Sequence, residues 1–177
     1  LRQIAYPVMR ALRDRLNETI ILSIRSGFRR ISIDHVESGQ SIRRTAQSGF
    51  ETPLHIGSAG KVLLAGLNES ELDHYFTQVP LRAFDGAGKI DQKELLAEIG
   101  AIHERGYSIA FREITADAAA LSAPLYDHRG ATCGALTVSL PADRFSDRLR
   151  AQCIRELLKA TDEILTHLGF SADRKST

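Results

Sequence analysis

The sequence predicts an α+β domain, one antiparallel sheet flanked by helices and preceded by a further helix. Three observations lead there. Apolar residues recur every three or four positions over 1–16 and again over 147–168, the spacing of amphipathic helices. Short β-rich runs separated by Gly, Ser, Asn and Asp turns occupy 19–47 and 107–140. Helical patterns with capping signals fill the stretch between them.

In the first helix Leu1, Ile4, Ala5, Val8, Met9, Leu12 and Leu16 form one stripe, and Pro7 predicts a kink. Arg2, Arg10, Arg13 and Arg15 form the opposite, solvated face, and Asn17-Glu18 ends the helix. Thr19 to Ile24 reads as a strand and Ser26-Gly27 as a turn; Arg30 to Val36 alternates, with Ile31 and Ile33 on one side. Ser38-Gly39-Gln40 turns again, and Ser41 to Gln47 reads as a third strand that completes a meander. A helix starts at Gly57 or Ser58, and a second has Asn68 as N-cap with Glu71 three residues on, a capping-box variant. Residues 80–90 are a loop; Asp91 caps the next helix, with Ile90 and Leu95 as a staple and Gly106 as its stop. Strands over 107–111, 118–126 and 131–140 follow, the last two joined by the hairpin loop Asp127–Gly130.

A chain of 177 residues fits one domain, and 43% hydrophobic with 25% charged residues is an ordinary globular balance. Net charge is 23 basic minus 22 acidic, or +1, which gives no electrostatic case for nucleic-acid binding by this chain. The longest apolar runs, such as Ile20-Ile21-Leu22, are too short for a membrane span. Without a secretory signal the expected location is cytoplasmic. Cys133 and Cys153 lack metal-type spacing and are expected to be reduced, small hydrophobes. Because Leu1 already lies in a helical pattern, the chain is expected to be a fragment lacking an N-terminal part.

The stretch PLHIGSAGKVLLAGL, residues 53–67, resembles the end of a phosphate loop. It fails that test twice: the first glycine of G-x-x-x-x-G-K-[ST] would be His55, and Val62 follows Lys61 where a hydroxyl is required. A serine-hydrolase elbow fails too, because Ile56 stands two residues before Ser58. His74 belongs to a lone E-x-x-H and reads as a surface residue. No catalytic set and no cofactor site assembles.

Strand parity is more informative. Side chains alternate faces along a strand. Ala118, Ala120 and Ser122 share one face, as do Cys133, Ala135, Thr137 and Ser139; Leu121, Ala123, Leu136, Val138 and Leu140 point the other way. A face of small, partly polar residues either packs a helix closely or borders a cavity whose hydroxyls orient a ligand. Arg44 shares a face with Ile42 and Ala46 and needs an anion if buried, either an internal acid or a ligand carboxylate.

These motifs resemble a known family. Pro53-Leu54-His55, Gly60-Lys61 and Leu63-Leu64-Ala65 are similar to the signature of the effector-binding domain of IclR-type bacterial transcriptional regulators. A second block agrees: Gly106-Tyr107, Glu113, Ser122-Ala123-Pro124-Leu125-Tyr126-Asp127, Gly130, then Ala135-Leu136-Thr137-Val138-Ser139 and Pro141. The resemblance covers nearly the whole chain. It implies a GAF-like fold, an antiparallel sheet whose one side encloses a small-molecule site for a small organic acid, in a homodimer or homotetramer. It also implies DNA binding only through an N-terminal winged helix-turn-helix absent from this chain, and no membrane partner. On this reading residues 1–17 are a linker helix, 18–170 the effector-binding domain and 171–177 a tail. By position the family pocket falls at Arg44, Thr52, Ser58, Ala59, Gly60, Ala110, Ala118, Ala120, Thr137 and Ser139, several of which parity also selects. Three residues depart from the pattern: Asp117 replaces a usual Gly, Ala120 a frequent Cys and Ala110 a frequent acid. Loss of that acid beside Arg44 favours an anionic ligand, although Asp117 is also a candidate partner for Arg44.

Overall fold

The computed structural model describes residues 1–170; the expected tail at 171–177 lies outside the described residues. Six strands form one antiparallel sheet in the order β3-β2-β1-β6-β5-β4. They are β1 (Thr19–Ser26), β2 (Arg29–Val36), β3 (Glu51–Pro53), β4 (Ser108–Phe111), β5 (Ala118–Tyr126) and β6 (Thr132–Pro141). The helices are α1 (Arg2–Leu16), α2 (Gly57–Ala65), α3 (Glu69–Gln78), α4 (Gln92–Arg105) and α5 (Asp147–His167).

The amphipathic stripes do what their spacing predicts. Ala5, Val8, Met9, Leu12 and Leu16 of α1 and Cys153, Leu157, Ala160 and Ile164 of α5 bury together against one sheet face, where Leu121, Ala123, Leu136, Val138 and Leu140 meet them. α1 runs unbroken through Pro7. The other face carries α2, whose Val62, Leu63 and Leu64 share a second cluster with Tyr75 of α3 and Leu95, Ile99 and Ile102 of α4. The caps of α3 and α4 fall where the sequence puts them. Asn68 and Glu71 exchange hydrogen bonds in a capping box, Asp91 caps α4, and Gly106 closes it at φ 79°, which suits glycine.

The predicted strand at Ser41–Gln47 does not form. Carbonyls there go to side chains rather than to a ladder: Thr19 Oγ1 donates to Arg44 O at 2.6 Å and Arg144 Nη1 to Ile42 O at 2.7 Å. Ile42 is 74% exposed, so alternation at 42, 44 and 46 defines no buried face. The strand beside β2 is instead the three-residue β3, with Arg30 opposite Thr52. The segment 38–50 folds over the sheet as an irregular strap.

Beneath α3 lies a buried histidine. His55 is 1% exposed; Tyr75 Oη accepts its backbone N–H at 3.1 Å and meets Nδ1 at 2.6 Å, while Nε2 faces Arg82 O at 3.0 Å. That set is satisfied by a neutral ring with its proton on Nε2 and Tyr75 donating to Nδ1. Burial, opposed by the Arg82 carbonyl and aided by Lys61, holds the His55 pKa below its ordinary 6.5. The unfolded chain therefore takes up this proton more readily. The contribution of neutral His55 is complete above about pH 6.5 and is lost as pH falls through the lower folded value. Thermal melts between pH 8 and pH 5 are expected to show a fall in Tm that is shallower in His55→Gln.

Candidate functional site

A cavity of about 470 Å³ lies between the sheet, the N-terminal turn of α2, the strap and the β4–β5 loop. This size suits a small organic ligand. Its floor is the small-residue face that parity selects: Ala118 and Ala120 from β5, Thr137 and Ser139 from β6 and Ala110 from β4. These align because the strands pair in register, Ala120 opposite both Ala110 and Ser139. Ser58 and Ala59 enter from α2. Ser58 Oγ bonds Ser122 Oγ at 2.8 Å, and Ser122 bonds Thr137 Oγ1 at 2.8 Å, so a chain of three hydroxyls runs beneath α2 to the cavity.

Two predicted residues hold the site from outside it. Thr52 is fully buried and accepts from Arg30 Nε at 3.1 Å. Gly60 is absent from the cavity lining. A Cβ there would stand 2.6 Å from the carbonyl oxygen of Leu54, so its glycine serves the close approach of α2 to the preceding backbone. Arg44 does line the cavity, but its Nη1 pairs with Asp117 Oδ2 at 2.8 Å, the internal partner that the sequence left open. Asp117 is largely exposed, so the pair ties the strap to the β4–β5 loop at the rim.

The N-terminal turn of α2 is already occupied. Gly57 N–H donates to Glu113 Oε2 at 3.1 Å, and Glu113 Oε1 takes the Lys61 ammonium. Lys61 thus serves a side chain, and the loop carboxylate fills the place where the amide of Gly57 and the helix dipole would favour an anion.

Sequence reasoning missed Arg30. It is 6% exposed and lines the cavity. Its Nη1 donates to Ser32 Oγ at 3.1 Å and Ser23 Oγ at 3.4 Å; Nη2 is buried with no hydrogen-bond partner among the described residues. The Phe50 ring lies 5.3 Å from the guanidinium. Burial pushes the Arg30 pKa down to about 10, which still leaves it charged at neutral pH. A register shift hides this arginine from parity. Leu22 faces Asp34 but Ser23 faces Ser32, so Ile33 is an extra residue. Arg30 and Ser32 line the cavity, while Asp34 reaches Arg2 of α1.

Among the described residues there is no group of three or more His, Cys, Asp or Glu that could hold a metal ion, and no helix long and apolar enough to cross a membrane. Both cysteines are free.

The sequence model of the family described as bacterial transcriptional regulator IclR C-terminal matches residues 1–166. The chain is 32% identical over 171 residues to the HTH-type transcriptional repressor AllR of Escherichia coli (strain K12), covering 96% of this chain and 62% of AllR. It is 26% identical over 171 residues to the HTH-type transcriptional regulator KipR of Bacillus subtilis (strain 168), covering 97% of this chain and 68% of KipR. The crystal structure of Thermotoga maritima IclR is similar with a TM-score of 0.88 at 28% identity, over 96% of this chain and 68% of that one. The chain thus spans about two thirds of the length of the curated relatives it matches.

Proposed function

Since the chain belongs to the IclR family of bacterial transcriptional regulators, as the C-terminal domain, we propose that it senses a small organic acid and passes occupancy of the cavity to a DNA-reading domain. Its relatives are named regulators and repressors; it is not an enzyme. One observation carries the reading: a cavity of about 470 Å³ whose floor combines small side chains with the hydroxyls of Thr137 and Ser139. Such a space counts against an assembly domain with no effector, in which the small residues would only receive a helix. The excess of arginine over acid in its lining supports the acid class.

In the whole protein the DNA would be read by an N-terminal winged helix-turn-helix, and the sensing domains would pair as a dimer or tetramer. α1 is the natural transmitter. It packs on the sheet face opposite the cavity, so one layer of strands separates the two. Ligand changes operator affinity only to the extent that it binds two arrangements of the assembly differently.

A thermal-shift screen of small organic acids tests this. A ligand at a hundred times its Kd stabilises by about 2.7 kcal/mol, roughly 5–10 °C in Tm for a domain of this size. Ala120→Phe fills the cavity floor and is expected to abolish the shift. In the full-length regulator it should keep operator binding and remove the effector response. An undiminished response in that variant would place the effector elsewhere.

A further inference from the structure

We propose that the acidic group of the effector is held by Arg30, at the β1–β2–β3 end of the cavity, and that the effector is a monocarboxylate with an uncharged body. This rests on the reading of the cavity as an effector site, and it places the acid away from both Arg44 and the N-terminus of α2.

Three ionised side chains line the cavity: Arg30, Arg44 and Glu113. Arg44 is neutralised by Asp117 and Glu113 by Lys61. Arg30 alone of the three has no carboxylate partner among the described residues; its bonds go to the hydroxyls of Thr52, Ser32 and Ser23. A buried cation without a counter-ion is costly, and a buried Nη2 with unmade hydrogen bonds adds to the cost. A carboxylate seated against the guanidinium supplies the missing counter-charge and, where the covering side chains give way to it, an acceptor for Nη2. The three hydroxyls fix the guanidinium from one side and Phe50 covers it, so the fork is oriented before ligand arrives.

The competing anion sites are already filled. The Gly57 amide faces Glu113, so a second carboxylate there would meet like charge. Arg44 already has its counter-ion in Asp117, so an anion there would bring a second negative charge to a pair that is balanced. One unmatched positive charge calls for one negative group. The rest of the ligand then extends from Arg30 past Ile21 of β1 to the neutral hydroxyls of Thr137 and Ser139 on β6, with Ala118 and Ala120 of β5 beyond them.

Calorimetry with benzoate, phenylacetate and butanoate, each against its primary amide, and with the dianions phthalate and succinate tests the assignment on the wild-type domain. The expected result is binding of at least one monocarboxylate about tenfold or more tighter than its amide and than the dianions. Arg30→Met should weaken that acid by about ten- to a hundredfold, the loss of one charged hydrogen-bonding partner. Arg30→Lys, which keeps the charge without the fork, should fall between and serves where the methionine variant does not fold. Arg44→Ala should change affinity by less than about threefold. Equal binding of acid and amide, tighter binding of a dianion, or greater sensitivity to Arg44 than to Arg30 would overturn the assignment while leaving the cavity as effector site. Binding that survives Ala120→Phe, or absence of binding by every acid and amide, would overturn the cavity reading itself.

Discussion

Replacing Arg144 by alanine is expected to destabilise the domain by about 3 kcal/mol and to loosen the strap that walls the cavity. Glu18 follows α1 and is 1% exposed. Arg144 meets it with both arms, Nε to Oε1 at 2.9 Å and Nη2 to Oε2 at 2.7 Å. Its remaining nitrogen holds the Ile42 carbonyl. Removing one partner of a buried pair leaves an uncompensated charge, which costs about 3–5 kcal/mol. The arginine side chain is 27% exposed, so water reaches the site and the lower end applies. For a domain of this length that is roughly 6–12 °C in Tm. Arg144→Lys keeps charge without the paired donors and should fall between. The second readout is local: hydrogen exchange should rise across 38–50 more than in β5 and β6, because the variant also frees the Ile42 carbonyl. A loss under about 1 kcal/mol, or exchange that rises uniformly, would show that the pair neither stabilises the fold nor fastens the strap.

Legibility in the sequence followed the range of the interaction that decides each feature. The stripes of α1 and α5 and the caps at Asn68 and Asp91 depend on residues within a turn or two, and the structure has them as the spacing predicts. Parity placed Ala118, Ala120, Thr137 and Ser139 on one face because β5 and β6 pair without a shift over those residues. It failed on β2, where one extra residue at Ile33 turns the pattern over and conceals Arg30. It failed again at Ser41–Gln47, whose alternation is cancelled by the side chains of Thr19 and Arg144 reaching its carbonyls. Contacts across long sequence separations left no local trace. Glu113 reaches an amide 56 residues away, and the Arg44–Asp117 pair, 73 residues apart, was open to the sequence only as one of two alternatives for Arg44. Nothing within PLHIGSAGKVLLAGL announces that its helix start is already capped by a carboxylate from another loop.

Gly60→Ala distinguishes a packing glycine from a ligand-contacting one, and it is expected to cost about 2 kcal/mol. In isolation the change would favour α2, since alanine exceeds glycine in helix propensity by about 1 kcal/mol. Here the new Cβ would lie 2.6 Å from Leu54 O, 3.1 Å from Leu54 C and 3.2 Å from Pro53 O. These are backbone atoms, so no rotamer relieves the overlap; α2 or the 53–54 segment must move. Overpacking of this kind typically costs 1–3 kcal/mol, and rigid neighbours push it to or beyond the upper end, which outweighs the propensity gain. The expected fall in Tm is roughly 4–8 °C. Gly100→Ala is the matched control. It makes the same chemical change inside α4, where a Cβ would have nothing within 4 Å, and it should raise stability by about 0.5–1 kcal/mol. Opposite signs for one substitution in two helices would assign Gly60 to the contact between α2 and Leu54. If Gly60→Ala instead kept Tm and weakened acid binding in calorimetry, the glycine would have to be returned to the ligand site.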